Sequence, residues 1–299
     1  MDPIAEYGAV FERAAVPAGA RPGVAVYAPT PLARGPWDPR ALHGGPVAGL
    51  LATAVERHDP EGLPTFVARI TVELLRPVPL APLTVTTETM RPGRNVAWVD
   101  AIAHDGEGRA VAAARGLCTH RLDPPLDVGT AADPEVVMPP LPDVLAIEQI
   151  GVADQIGYWS ANDFRLAAGD WLAPGPGAAW FRLRVPLIAG APTSPLARVA
   201  AAADFGSGVG NPVRASSSGT INPEITIHVH RHAEGEWVGL ESTAWAHGAG
   251  AGLCETRLFD TRGTVGRGTQ VLLVQNFNPF QTMSQTTGET PGREVRDTR

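Results

Sequence analysis

The sequence contains no lysine, because all 24 of its basic residues are arginine. Without a side-chain amine the chain cannot form a Schiff base, anchor pyridoxal phosphate or build the lysine-dependent phosphate loop of many nucleotide-binding enzymes. Acidic residues number 31, which gives a formal net charge of −7. That balance argues against a nucleic-acid-binding protein, whose affinity depends on neutralising phosphates with cationic side chains.

Cysteine and long apolar runs are also scarce. Cys118 and Cys254 are too few for a disulfide framework and favour a reducing compartment. No apolar stretch approaches the roughly 20 residues that cross a bilayer, and the first residues lack the basic and apolar regions of a signal peptide. The sequence therefore predicts a cytoplasmic globular protein without a membrane span.

An internal repeat is the first positive feature. Residues 70–76 resemble residues 225–231 at an offset of 155, and the turn sequences that begin at Asp105 and Asp260 keep the same offset. Residues 225–231 also alternate apolar and polar side chains, which indicates a strand with one buried face. Together these observations predict a duplicated domain.

Each copy is predicted to contain a strand, a helix and then further strands. The helices are expected to begin at His43 and Ser194, because an apolar stripe follows the first and Ser-Pro is a favoured helix start. The strands are predicted around residues 24–27, 67–75, 83–90, 96–104 and 110–120 in the first copy, and 178–186, 224–231, 236–245, 252–259 and 265–275 in the second. This order, repeated, predicts an α+β protein in which a curved antiparallel sheet wraps each helix.

Composition sets the predicted domain boundaries. Residues 1–125 and 176–275 are expected to form the two domains, and residues 126–175, rich in Pro, Asp and Gly, to connect them. A short helix is predicted near residues 144–150. The tail, residues 276–299, has no periodicity, which indicates disorder.

Several short motifs, taken in order, resemble those of one enzyme family. They are His43-Gly44-Gly45-Pro46, Leu75-Arg76-Pro77, Ala203-Asp204-Phe205, Gly219-Thr220-Ile221-Asn222 and Thr269-Gln270-Val271. The combination resembles the double-hotdog acyl-CoA thioesterases of the thioesterase-II type and the related actinobacterial thioesterase-like proteins. The resemblance covers about residues 20–275. It implies two tandem hotdog domains that form a pseudo-dimer within one chain.

The resemblance also implies a reaction and three catalytic residues. The expected reaction is hydrolysis of an acyl-CoA, or a related acyl thioester, to free acid and thiol by an oriented water, without a cofactor or metal. Asp204, Thr220 and Gln270 match the family residues that hold this water, with Asp204 as its polarising carboxylate. The serines at 216–218 offer rival hydroxyls to Thr220.

The start of the first helix is the expected substrate-binding element. Gly44 and Gly45 are expected to present backbone N–H groups to a developing oxyanion, and His43 to bind substrate, act as a base or cap the helix. The offset pairs Gln270 with Arg115, so the first copy lacks the family's glutamine. This difference predicts one active half and one degenerate half. Further association into a homo-oligomer is expected from the family.

The sequence admits three alternatives to hydrolysis at a metal-free site, and two of them are disfavoured. A non-catalytic acyl-thioester-binding protein could have the same fold, since fold does not determine function. A hotdog hydratase or dehydratase is less favoured, because it needs a paired Asp and His in one helix-bearing loop and the sequence places no such pair around either helix. A metal site at His228, His230 and His232 is disfavoured, because no cysteine or carboxylate cluster completes a ligand shell. These histidines are expected on a solvated face.

Overall fold

The computed structural model of the chain describes residues 4, 6–58, 62, 64–122, 126–127, 139–143, 156–171, 173–213 and 219–275. The predicted helix at 144–150 and the tail at 276–299 lie outside these residues. The strands are β1 (Phe11–Ala14), β2 (Val24–Pro29), β3 (Phe66–Leu74), β4 (Leu83–Arg91), β5 (Val96–His104), β6 (Ala110–Thr119), β7 (Asn162–Ala168), β8 (Gly177–Leu183), β9 (Gly219–Ile221), β10 (Glu224–Val229), β11 (Val238–Ala246), β12 (Ala251–Asp260) and β13 (Gly263–Gln275). The helices are α1 (Gly44–Arg57), α2 (Pro195–Ala203) and the short α3 (Gly206–Val209).

The strands form one antiparallel sheet of 13 strands. Its order is β1-β2-β4-β5-β6-β3-β10-β13-β12-β11-β8-β7, with β9 beside β13. Counted outward from the centre, the first half runs β3-β6-β5-β4-β2 and the second runs β10-β13-β12-β11-β8. Equivalent strands therefore occur in the same order, as the sequence repeat predicts. The halves meet where β3 pairs with β10, and there the hydroxyl oxygens of Thr71 and Thr226 lie 3.1 Å apart.

Some elements differ from the sequence prediction. Strand β7 lies within residues 126–175, where the composition indicates only a connector. It pairs with β8 and buries Phe164, but the glycines and prolines that surround it mask its short apolar pattern. The short edge strand β1 and the helix α3 were not predicted either. Two of the four residues of α3 are glycine, which has a low intrinsic helix propensity.

The helices pack side by side, α1 on strands β3 to β6 and α2 on β8 and β10 to β12. They approach closely because small residues lie between them: a Cβ on Gly49 would lie 3.1 Å from both the carbonyl oxygen of Ala197 and the Cβ of Ala201. Each helix begins beside the end of the other. His43 at the start of α1 contacts Asp204 at the end of α2, and the N-cap Ser194 of α2 donates a hydrogen bond to Glu56 near the end of α1.

The Glu56–Ser194 contact makes a prediction about stability. Burial raises the pKa of Glu56, although the hydrogen bond from Ser194 and the charge of Arg57 oppose the shift. A carboxyl group whose pKa is raised by folding is destabilising when it is ionised. The protein should therefore lose stability as the pH rises from the ordinary range of a glutamate through the raised value.

We expect Glu56→Gln to remove this pH dependence, because glutamine keeps an acceptor for Ser194 and carries no charge. Urea unfolding at mildly acidic and at neutral pH measures the effect. The variant should be the more stable protein at neutral pH, and the two proteins should converge towards acidic pH. Parallel stability curves for the variant and the wild type would contradict the assignment.

Candidate active site

Asp204 is the centre of a hydrogen-bonded group at the end of α2. Its side chain is buried, and Oδ1 accepts a hydrogen bond from Nδ2 of Asn222 at 2.6 Å. Oδ2 lies 2.7 Å from Nδ1 of His43. Asn222 of the second half and His43 of the first half therefore meet at the carboxylate of Asp204.

The surroundings keep this carboxylate ionised. Burial alone would raise the pKa of Asp204, but His43, the Asn222 amide and the backbone N–H of Gly45 together hold the pKa below its usual range. Gly45 lies in the first turn of α1, where backbone N–H groups have no partner within the helix and the helix dipole favours negative charge. The start of α1 thus stabilises an anion that belongs to the other half.

The ionised state of Asp204 determines the tautomer of His43. A carboxylate only accepts hydrogen bonds, so Nδ1 of His43 must carry the hydrogen that lies between them. The backbone nitrogen of Gly45 lies 3.1 Å from the same Nδ1, but a nitrogen that donates to Asp204 cannot also accept. Nε2 is then the ring atom left with a lone pair. The ring itself lies against Tyr158 and Phe205, with centroids 5.1 and 4.9 Å away.

Close contact between the helices requires glycine at the two positions after His43. A Cβ on Gly44 would lie 2.6 Å from Oδ1 of Asp204, and one on Gly45 would lie 2.5 Å from the carbonyl oxygen of Ala201. Neither distance is compatible with a side chain. Both glycines thus allow the start of α1 to approach the end of α2.

A cavity of about 540 Å³ opens beside this group. Its lining includes His43 and Gly44 from the first half, and Asp204, Thr220 and Asn222 from the second. Most of the other lining residues are apolar, among them Trp37, Leu74, Val78, Trp159, Trp171 and Leu273. A concave, mostly apolar space with a few polar groups at one place is typical of a small-molecule site.

The predicted site residues take different positions around this cavity. Thr220 lies on β9, opposite Val274 of β13, and lines the cavity. Gln270 is buried on β13 and does not belong to the described lining. Its Nε2 donates to the backbone carbonyl of Asp204 at 3.3 Å. Gly206, the first residue of α3, packs against it, because a Cβ there would lie 2.9 Å from Oε1. The rival hydroxyls at 216–218 lie outside the described residues.

Sequence reasoning missed two parts of the site. In the sequence, Asn222 is recognisable only as part of the motif that contains Thr220, and a lone Asn gives no signal of its hydrogen-bond partner. The sequence also places no Asp–His pair around either helix taken alone. The pair forms between the helices, from His43 at the start of α1 and Asp204 at the end of α2. His43 and Asp204 are 161 positions apart and meet only because α1 and α2 pack in opposite directions. Only the fold brings them together.

The histidines of β10 and the residues after it lie away from the cavity. His228 and His230 are exposed, as the sequence predicts for a solvated face. His232 is partly buried and stacks on Phe66, with ring centroids 5.0 Å apart. Among the residues that the structure describes, no three His, Cys, Asp or Glu side chains are grouped so as to hold a metal ion.

Solved structures with similar architecture define the fold. A proposed thioesterase II from Thermobifida fusca YX has a TM-score of 0.65 and 17% identity, over 91% of this chain and 97% of that one. A hotdog-fold protein of unknown function from Alicyclobacillus acidocaldarius has a TM-score of 0.63 and 17% identity, over 86% and 95% of the two chains. An acyl-CoA thioesterase II from Mycobacterium marinum has a TM-score of 0.61 and 18% identity, over 86% and 94%. This chain is a hotdog-fold protein.

Sequence comparison with family models gives the family. Residues 33–120 match the N-terminal domain of acyl-CoA thioesterase, and residues 132–274 match its C-terminal domain. The chain therefore belongs to the acyl-CoA thioesterase family, as a member of the thioesterase-II-like type, and it is an enzyme that hydrolyses acyl-CoA thioesters. No curated protein matches the sequence. Within the described ranges, the helices are all too short or too polar to cross a bilayer.

Proposed function

We propose that hydrolysis takes place in the cavity at the start of α1, with His43 as general base and Asp204 as the group that orients it. The observation that carries this proposal is the 2.7 Å contact between Nδ1 of His43 and Oδ2 of Asp204 at the cavity wall. A carboxylate that holds one ring nitrogen leaves the other free to take a proton from water.

This assignment changes the role that the resemblance implies for Asp204. Both of its oxygens are engaged, Oδ1 by Asn222 and Oδ2 by His43, and its side chain is 3% exposed. A carboxylate in this position acts on water through the imidazole that it holds. Asn222 becomes a positioning residue, because it fixes which oxygen of Asp204 faces His43.

The reaction then needs no cofactor. Water attacks the thioester carbonyl carbon and transfers a proton to Nε2 of His43. The tetrahedral intermediate carries its negative charge on the former carbonyl oxygen. The backbone N–H of Gly44, at the start of α1 on the cavity wall, is suited to stabilise it. Collapse of the intermediate breaks the carbon–sulfur bond, and the leaving thiolate takes the proton back from His43.

Thr220 and Gln270 have separate roles in this proposal. Thr220 lines the cavity and orients the attacking water with its hydroxyl group. Gln270 lies behind the cavity wall and holds the backbone of Asp204, so it positions the end of α2. Its Oε1 is buried and has no hydrogen-bond partner among the described residues.

We expect Thr220→Val to lower kcat about tenfold, because it removes one hydrogen bond to the water and keeps the shape of the side chain. Release of free CoA thiol from acyl-CoA measures the rate. Thr220→Ser, which restores the hydroxyl group, should recover most of it. Complete loss of turnover in Thr220→Val, with an acylated enzyme detected by mass spectrometry in the wild type, would instead make Thr220 a nucleophile.

Hydration of an enoyl thioester is a second candidate, and the His43–Asp204 pair favours it, because this chemistry uses an Asp and a His. Crotonyl-CoA distinguishes the two reactions. Hydrolysis releases free thiol, whereas hydration removes the enoyl conjugation and leaves the thioester intact.

We further propose that the two halves form a pseudo-dimer of hotdog domains, one active and one degenerate. The repeated strand order and the central β3–β10 pairing support this arrangement. A cytoplasmic location is supported by the two cysteines, which are buried free thiols. Association into a homo-oligomer remains a prediction, which sedimentation analysis would test.

A further inference from the structure

The acyl group that the cavity selects can be inferred from the shape and chemistry of its walls, given the proposed site of hydrolysis. A cavity of roughly 150 Å³ already holds a benzene molecule. The space of about 540 Å³ beside His43 therefore accommodates a ring together with the thioester and the first part of the thiol carrier. Volume alone does not distinguish a ring from an alkyl chain.

The lining makes that distinction. Aromatic residues form only 6% of the chain, yet four of them line this one cavity: Trp37, Trp159, Trp171 and Phe205. Trp159 is buried and Phe205 is partly buried, whereas Trp37 is 42% exposed and stands at the side open to solvent. The apolar surface offered to an acyl group thus combines four aromatic rings with aliphatic side chains such as Leu74, Val78 and Leu273.

These rings are fixed in place by further rings behind them. Phe205 lies between Tyr158 and Phe181, with near-parallel planes and centroids 5.5 and 4.6 Å away. Phe164 contacts Phe181 at 5.0 Å and meets the edge of Trp171 at 4.7 Å. The walls are therefore preorganised surfaces with little freedom to adapt to a flexible chain.

Trp171 is held against the cavity by a glycine. A Cβ on Gly208 would lie 3.1 Å from the indole, so the turn of α3 leaves just enough room for this ring. Trp171 thereby joins the aromatic group from the connection between β7 and β8.

We propose that the preferred substrate is an arylacyl thioester, whose compact aromatic acyl group packs against Trp171, Trp159 and Phe205. A ring gains offset-stacked or edge-to-face contacts with these side chains beyond the area that it buries. It also has fewer rotatable bonds to immobilise than an alkyl chain of the same size. Both effects favour the aryl group at this site.

Phenylacetyl-CoA and octanoyl-CoA test the proposal, because they carry the same number of acyl carbons. We expect kcat/KM to be about tenfold higher for phenylacetyl-CoA, which corresponds to one or two ring contacts. Trp171→Leu should reduce this ratio severalfold, and Trp171→Phe, which keeps a ring, should retain most of it. Trp245→Leu is the matched control, since Trp245 is an exposed residue of β11 away from the cavity.

Binding measurements separate this proposal from the hydrolytic one. Calorimetry with the 2-phenylethyl and octyl thioethers of CoA, which cannot be hydrolysed, reports the acyl preference even without turnover. Tighter binding of the phenylethyl compound without hydrolysis of either ester would support the aryl preference and refute the proposed chemistry. If the wild type hydrolysed octanoyl-CoA as well as or better than phenylacetyl-CoA, and bound the octyl thioether as tightly or more tightly, the aryl preference would be overturned. The proposed site of hydrolysis would be unaffected.

Discussion

Asp204→Asn should lower kcat for acyl-CoA hydrolysis by about 10⁴-fold while the fold is retained. Asn222 donates to Oδ1 of Asp204, so the amide oxygen of the new side chain must stay on that side. The amide nitrogen then faces His43 and donates to Nδ1. The ring is forced into the tautomer with its hydrogen on Nε2, which leaves no lone pair for the proton of the attacking water.

A second variant checks that the two residues act as a unit. His43→Gln should lower kcat by a similar factor. The double variant should have a kcat only slightly below that of either single variant, because each substitution alone already abolishes the action of the pair. Free-thiol release with a single acyl-CoA gives all four rates. Independent, multiplicative losses would mean that Asp204 acts on water directly, as the family resemblance alone implies. An Asp204→Asn enzyme within tenfold of the wild type would move the chemistry away from this pair.

Gly44→Ala should lower kcat about 100-fold, although it alters neither His43 nor Asp204. The new Cβ would lie 2.6 and 2.8 Å from the two carboxylate oxygens of Asp204. Both atoms belong to the side chain of Asp204, so either this carboxylate must turn away or α1 must shift away from α2 to relieve the contact. A displacement of this kind changes the distance between His43 and Asp204 without altering either residue.

Gly106→Ala provides the matched control for this variant. Gly106 lies in the turn between β5 and β6, and nothing would lie within 4 Å of a Cβ added there. We expect its activity to stay within about twofold of the wild type, and its thermal unfolding to be unchanged. If both alanine variants had the same activity, close approach at Gly44 would not matter for the site.

Much of the fold could be predicted because it is encoded locally and twice. The start of α2 at Ser194 follows from a helix-capping serine followed by proline, and Oγ of Ser194 does accept from the backbone of Ala197 at 3.0 Å. Alternation along β10 gave the buried face directly. Strand β7 was not predicted because its apolar pattern is short and its surroundings favour turns. Its pairing with β8 and the burial of Phe164 become visible only in the fold.

The site was predictable only where a motif names its residue. Asp204 and Gln270 stand in clear motifs, whereas Thr220 is identified by its distance from Ile221-Asn222. Of the three, Asp204 and Thr220 line the cavity. The partnership of Asp204 with His43 depends on the crossing of two helices from different halves, and no spacing in the sequence encodes that distance. The placement of Gln270 behind the wall depends likewise on the path of α3 over it.

Under the proposed mechanism, the unequal ends of the paired helices predict one active site per chain. At one end a histidine meets an ionised carboxylate, whereas at the other Ser194 meets Glu56, whose pKa is raised by burial. The contact between Ser194 and Glu56 contains no imidazole, which is the group proposed to take the proton from water. Titration with a tight-binding thioether analogue should therefore reach its end point at one equivalent per chain.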